Sequence, residues 1–121
     1  MINSRNKGKR GELMLARALG EYGYHCRRGQ QYCGSNGDAD VVGLPGLHIE
    51  CKWVEHLNLY NALAQAIHDA REGELPAVFH KKNNCEWIVS MRLPDFMAIY
   101  GEYASSIQTG EKHERKQSIQ S

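Results

Sequence analysis

The sequence predicts an α/β fold, a central mixed β-sheet with helices packed on it. Three observations carry this. The chain reads in the order helix, strand, strand, strand, helix, strand, strand, helix, which suits a sheet covered by helices. Residues 47–53 (LHIECKW) alternate between two faces without interruption, the period of a strand. The 121 residues are 41% hydrophobic and 24% charged, close to globular averages, and a chain of this length can bury a real core.

Each element has its own signal. A first helix is expected over 7–23: Glu12, Leu15, Ala16 and Leu19 recur at i, i+3, i+4 and i+7 and share one face. Arg10, Arg17 and Glu21 fall opposite, and Gly23 is a stop. Residues 24–31 read as a strand and 32–37 (YCGSNG) as a loop or hairpin turn. Residues 38–43 (DADVVG) form a short strand, and LPG at 44–46 a tight turn. In 47–53, Leu47, Ile49, Cys51 and Trp53 take one face and His48, Glu50 and Lys52 the other. A second helix spans about 58–73, with Leu59, Ala62, Leu63, Ala66, Ile67 and Ala70 as its apolar stripe. Residues 76–82 and 86–91 are strands around a KNNC turn, and Leu93 to Tyr103 a third helix opened by Pro94-Asp95. From 104 the chain turns polar and loses periodicity. The expected organisation is therefore one domain over 1–103 and a flexible tail over 104–121.

Composition narrows the function classes. No apolar run approaches the roughly 20 residues that cross a bilayer, and the N-terminus has no apolar stretch behind its charges. A cytoplasmic protein without membrane contact is expected. Cys26, Cys33, Cys51 and Cys85 then read as reduced thiols. Cys26 and Cys33 lie too far apart for the short spacing of structural zinc, and His25 and His48 supply no matching pair. The net charge of +1 is unevenly spread: residues 1–30 hold seven basic side chains against two acidic, +5, which leaves −4 on the rest. A basic end on a near-neutral chain points to a polyanionic partner.

Chemistry concentrates in three places. Glu50 and Lys52 share one face of an alternating strand whose apolar neighbours suggest an interior position, where charges are expensive unless used. Asp40 opens the apolar pair Val41-Val42 just past a Gly-rich loop, and the LPG turn would bring it beside Glu50. Two close carboxylates repel unless a cation lies between them, and carboxylate oxygens suit Mg²⁺. Glu12 sits on the apolar face of the first helix. His48 shares the face of Glu50 but lies toward the start of the strand and reads as a surface histidine.

Glu12, Asp40 in GDADVVG and Glu50-Cys51-Lys52 in LHIECKW, in this order and on these elements, resemble the PD-(D/E)xK nuclease superfamily. Lys7-Gly8 before Glu12 and the Ser/Gly loop before Asp-Val-Val are most similar to archaeal-type Holliday junction resolvases, with viral replication and repair nuclease domains next. The resemblance spans roughly residues 7–90. It departs in one place: the usual Pro before the aspartate is Ala39, and Asp38 competes with Asp40 as the motif residue.

The resemblance implies a restriction-endonuclease-like αβββαβ core and metal-assisted phosphodiester hydrolysis. Asp40, Glu50 and the backbone carbonyl of Cys51 would hold Mg²⁺, with Mn²⁺ as the substitute. Glu12 would bind the metal or hold its water, and Lys52 would position the attacking water or stabilise charge on the phosphate. Ser35 and Gln65 match positions that assist the site in relatives, although helix phase sends Gln65 toward solvent, and Asp38, on the same strand face as Asp40, would support it from behind. Arg5, Lys7, Lys9, Arg10, Arg27 and Arg28 become phosphate contacts that position DNA without reading its sequence. No small-molecule cofactor is expected. Branched DNA, a homodimer, and a bacterial, archaeal or phage-infected cell are the expected context. A flap or nick repair nuclease and a non-catalytic DNA-binding module of the same fold stay open.

Overall fold

A computed structural model describes residues 4–30 and 39–118. The chain divides into two compact units, 1–91 and 92–121. The first holds α1 (Ser4–Gly20), β1 (Arg27–Arg28), β2 (Val41–Val42), β3 (Leu47–Trp53), α2 (Leu59–Asp69), β4 (Leu75–Lys81) and β5 (Ile88–Ser90). The second is α3 (Leu93–Ser118).

The strands form one five-stranded sheet in sequence order, β1-β2-β3-β4-β5. β1, β2 and β3 pair antiparallel, β3 and β4 pair parallel, and β4 and β5 pair antiparallel. The parallel pair requires a crossover, and α2 provides it. This is the mixed α/β sheet that the element order predicts.

The core explains why β3 is buried along both faces. Leu15 and Ala16 of α1 pack with Val41, Ile49, Cys51, Ala77 and Phe79. Those sheet residues share one face by strand alternation, so α1 covers that face. α2 contacts β3 and β4 and buries Ala62 and Ala66, which leaves it the opposite face, with His48, Glu50 and Val78. Gly11 lets α1 approach closely: a Cβ there would stand 3.1 Å from the Trp53 Cβ. α2 begins at Asn58, whose side chain accepts from the Asn61 N–H at 3.1 Å.

Differences from the sequence reading are local. α1 stops at Gly20, and a turn closes at Gly23, whose φ is +96°. β1 and β2 are two residues each, shorter than the runs 24–31 and 38–43. α3 continues past 104 to Ser118, beyond the point where periodicity ends. Helix there needs no apolar stripe, because Glu, Lys, Arg, Gln and Ala have adequate intrinsic propensity. Cys26, Cys51 and Cys85 carry free thiols; Cys33 lies outside the described residues.

Gly43 and Gly46 shape the link from β2 to β3. Gly43 has φ +126°, and a Cβ there would meet the His25 carbonyl oxygen and stand 2.7 Å from the Cys26 Cα. Gly46 has φ +87° but open space around it. Gly43→Ala should therefore cost about 2–4 kcal/mol of unfolding free energy, and Gly46→Ala about 1 kcal/mol. Urea unfolding of both variants checks this; equal losses would refute the steric argument.

Candidate active site

Asp40 is held from both sides. Its N–H donates to the Ile49 carbonyl at 3.0 Å, and its carbonyl accepts from the Gly29 N–H at 2.9 Å. Its carboxylate then reaches across to β3, where Oδ2 accepts from the Cys51 N–H at 2.8 Å. The register sets Val41 against Ile49, so Asp40 comes opposite Glu50 in the antiparallel pair.

Glu50 is only 8% exposed. Burial, then the charge of Asp40, pushes its pKa up to about 7, against the pull of Lys52. Burial likewise raises Asp40 above the usual aspartate range, although the Cys51 N–H favours its charged form. Lys52 Nζ lies 3.4 Å from Glu50 Oε2 and is 39% exposed. The arrangement is thus two desolvated carboxylates with one ammonium beside them. A hard divalent cation fits such an oxygen donor set and would offset the repulsion between Asp40 and Glu50. The Cys51 thiol is pushed far up by burial and the surrounding carboxylates. It stays neutral, which leaves the Cys51 main chain as that residue's contribution here.

Glu12 belongs to the same neighbourhood, since its charge acts on both Asp40 and the Cys51 thiol. It is not a lone carboxylate. Arg28 Nε donates to Glu12 Oε1 at 2.8 Å, with side-chain exposures of 35% and 17%. The pair ties α1 to β1, and it engages an arginine that the sequence assigns to phosphate.

Other basic residues lie along α1. Lys7 Nζ is 5.0 Å and the Arg10 guanidinium 5.7 Å from the Trp53 ring centre, within cation–π range. Trp53 was legible only as an apolar strand residue; its role as a platform for two cations comes from the way α1 lies on β3. Lys9 is exposed, and Arg27 donates from Nη1 to the Arg28 carbonyl at 3.1 Å. The side chain of Arg5, and Ser35 and Asp38 altogether, lie outside the described residues.

His48 corrects the sequence reading. It is buried, at 4% exposure, because the β3–α2–β4 crossover covers that face at the start of β3. Alternation assigns a face but does not say what covers it. Its Nδ1 lies 3.6 Å from Glu74 Oε1. His48, Glu50 and Asp69 each place one potential ligand atom within 4.8 Å of the others. Asp69, the last residue of α2, carried no signal in the sequence. Gln65 is exposed, as helix phase predicts, yet its Nε2 donates to Asp69 Oδ2 at 2.7 Å.

A family model described as "Phage putative PDDEXK endonuclease" matches residues 3–120. Among solved structures, the chain is similar to Hjc of Archaeoglobus fulgidus, a Holliday junction resolvase from an archaeal hyperthermophile. The identity is 26% and the TM-score 0.53, over 70% of this chain and 72% of that one. No curated protein matches the chain significantly.

The raised pKa of Glu50 has a consequence for stability. A carboxyl that titrates near 4.5 when unfolded and near 7 when folded binds more protons in the native state between those values. Its contribution is fully present below pH 4.5 and is lost as pH rises through about 7. Glu50→Gln should therefore stabilise the metal-free protein at pH 8 by about 1–2 kcal/mol, once solvent screening discounts the full shift. The gain should vanish near pH 4. Thermal unfolding in EDTA at both pH values measures it, and a gain independent of pH would show that charge is not the cause.

Proposed function

Because the chain belongs to the phage PDDEXK endonuclease family, we propose that it is a divalent-metal-dependent endonuclease selective for branched DNA, with the Holliday junction as its leading substrate. The observation that carries the reading is half-buried Asp40, at the start of β2, set opposite buried Glu50 of β3, with Lys52 at 3.4 Å from Glu50. The similarity to a resolvase supports the choice of substrate.

Asp40, Glu50 and the Cys51 carbonyl would hold Mg²⁺, with Mn²⁺ as the substitute. A divalent cation bound there would supply Lewis acidity toward a phosphoryl oxygen and offset the charge of the phosphodiester. The Cys51 N–H keeps the Asp40 carboxylate aimed. Lys52, half in solvent, orients the attacking water and faces the charge that grows on the phosphate. Glu12, oriented by Arg28, acts on that water from α1. Lys7, Lys9 and Arg10 contact backbone phosphates beside the Trp53 platform, and Arg5 and Arg27 extend that basic surface. Arg28 serves the site through Glu12 first.

A junction offers two strands to cut, which a homodimer answers with two sites. The exposed Phe96, Met97, Tyr100 and Tyr103 of α3 supply an apolar surface for it, with Phe96 and Tyr100 stacked at 6.1 Å. No helix among the described residues is long and apolar enough to cross a membrane; the proposed place of action is the interior of a phage-infected cell.

Cleavage of a labelled four-way junction beside linear duplex, flap, nicked duplex and single strand tests this. Symmetric junction cuts with Mg²⁺ or Mn²⁺ are expected, absent in EDTA, and reduced at least about 100-fold in Asp40→Asn and Lys52→Ala. Cuts confined to flaps or nicks would move the protein to a repair nuclease. Tight binding without cleavage under any metal would leave a DNA-binding module. Separately, Lys7→Gln with Arg10→Gln should weaken binding across DNA sequences alike and lower the slope of log K against log salt by about 2. An unchanged slope would remove both residues from the DNA contact.

A further inference from the structure

We propose that His48, Glu50 and Asp69 form a second divalent-cation site, next to the Asp40–Glu50 pair and selective for a transition metal of the Mn²⁺ or Zn²⁺ class. The three ligand atoms already lie within 4.8 Å of one another. Bonds of 2.0–2.2 Å put tetrahedral ligand atoms about 3.4 Å apart, so small rotamer changes close the site. An imidazole in the set favours a transition metal over Mg²⁺, which prefers an all-oxygen shell.

The histidine sets this cluster apart from a group of surface carboxylates. Its side chain is only 5% exposed, so the imidazole is held inside the fold beside Glu50 and Asp69. Glu74 stands 3.6 Å from Nδ1 and is itself positioned by accepting from the Arg71 N–H at 2.8 Å. A carboxylate on one ring nitrogen fixes the ring and leaves the other nitrogen to a metal, the usual outer support of metal-bound histidine. Asp69 is supported the same way: Gln65 donates to Oδ2 at 2.7 Å and His68 meets Oδ1 at 3.0 Å. Asp69 also closes α2, where the helix dipole favours a cation. A cleft lined by Gly43, Pro45, Leu47, Arg71 and Glu74 reaches His48.

The site shares Glu50 with the proposed nuclease centre but does not depend on catalysis, so binding of Mn²⁺ alone tests it. Free Mn²⁺ measured by electron paramagnetic resonance in a titration gives the stoichiometry for wild type, His48→Gln, Asp69→Asn and Asp40→Asn. Wild type should bind two Mn²⁺. His48→Gln and Asp69→Asn should each weaken one of them at least tenfold, and Asp40→Asn should affect the other. Asp69, at 31% side-chain exposure, keeps the test usable if His48→Gln unfolds. Two Mn²⁺ untouched by His48→Gln and Asp69→Asn would overturn the site and leave the endonuclease reading intact. One Mn²⁺ weakened alike by all three variants would overturn the second site in favour of a single shared one. One Mn²⁺ sensitive to His48 and Asp69 but not to Asp40 would uphold it and remove the metal from Asp40. No Mn²⁺ binding at all would overturn both.

Discussion

The Asp40 carboxylate accepts from the Cys51 N–H at 2.8 Å, and much of the site follows from that bond. β2 has only two residues, so its ladder alone gives little purchase on β3. The Asp40 main chain adds a bond on each side, to Ile49 and from Gly29, and the side chain adds a third. The register so locked sets Asp40 beside Glu50. A carboxylate accepting a main-chain N–H is stabilised in its charged form, which keeps Asp40 available as a ligand despite its burial.

The cost of this geometry falls on Glu50. It sits on the α2 face of a strand buried along both faces, and its charged form is disfavoured by burial and by Asp40 together. A fold that held this pair for stability alone would be better served by an amide or an apolar residue. The strain makes sense if a cation completes the set. A cation bound there would couple its binding to proton release from Glu50 near neutral pH. Strand β3, flanked by β2 and β4, holds Glu50 and Lys52 on a rigid element, where catalytic geometry is best kept.

Around this centre the charges are not spread evenly. Arg28 neutralises Glu12 at the edge of the site, while Lys7 and Arg10 gather at Trp53. On the opposite flank, the end of α2 and the strand start bring His48, Asp69 and Glu74 together, a region that the nuclease motif by itself does not describe.

Periodicity and turn chemistry were enough to read the element order, the whole of β3 and the faces of α1 in one dimension. Alternation through LHIECKW has no competing helical reading, and the i, i+3, i+4, i+7 stripe of α1 is unbroken. Glu12, Asp40, Glu50 and Lys52 were legible because their residue types and order form a chemical pattern. The length of α3 was not, since a helix without an apolar stripe leaves no periodic trace. Nor were the burial of His48, the Arg28–Glu12 pair, the Trp53 platform or the approach of Asp69. Each joins residues distant in the chain across the sheet or onto it. Periodicity assigns a side chain to a face of its own element, but only the packing of α1 and α2 on the sheet settles what that face meets.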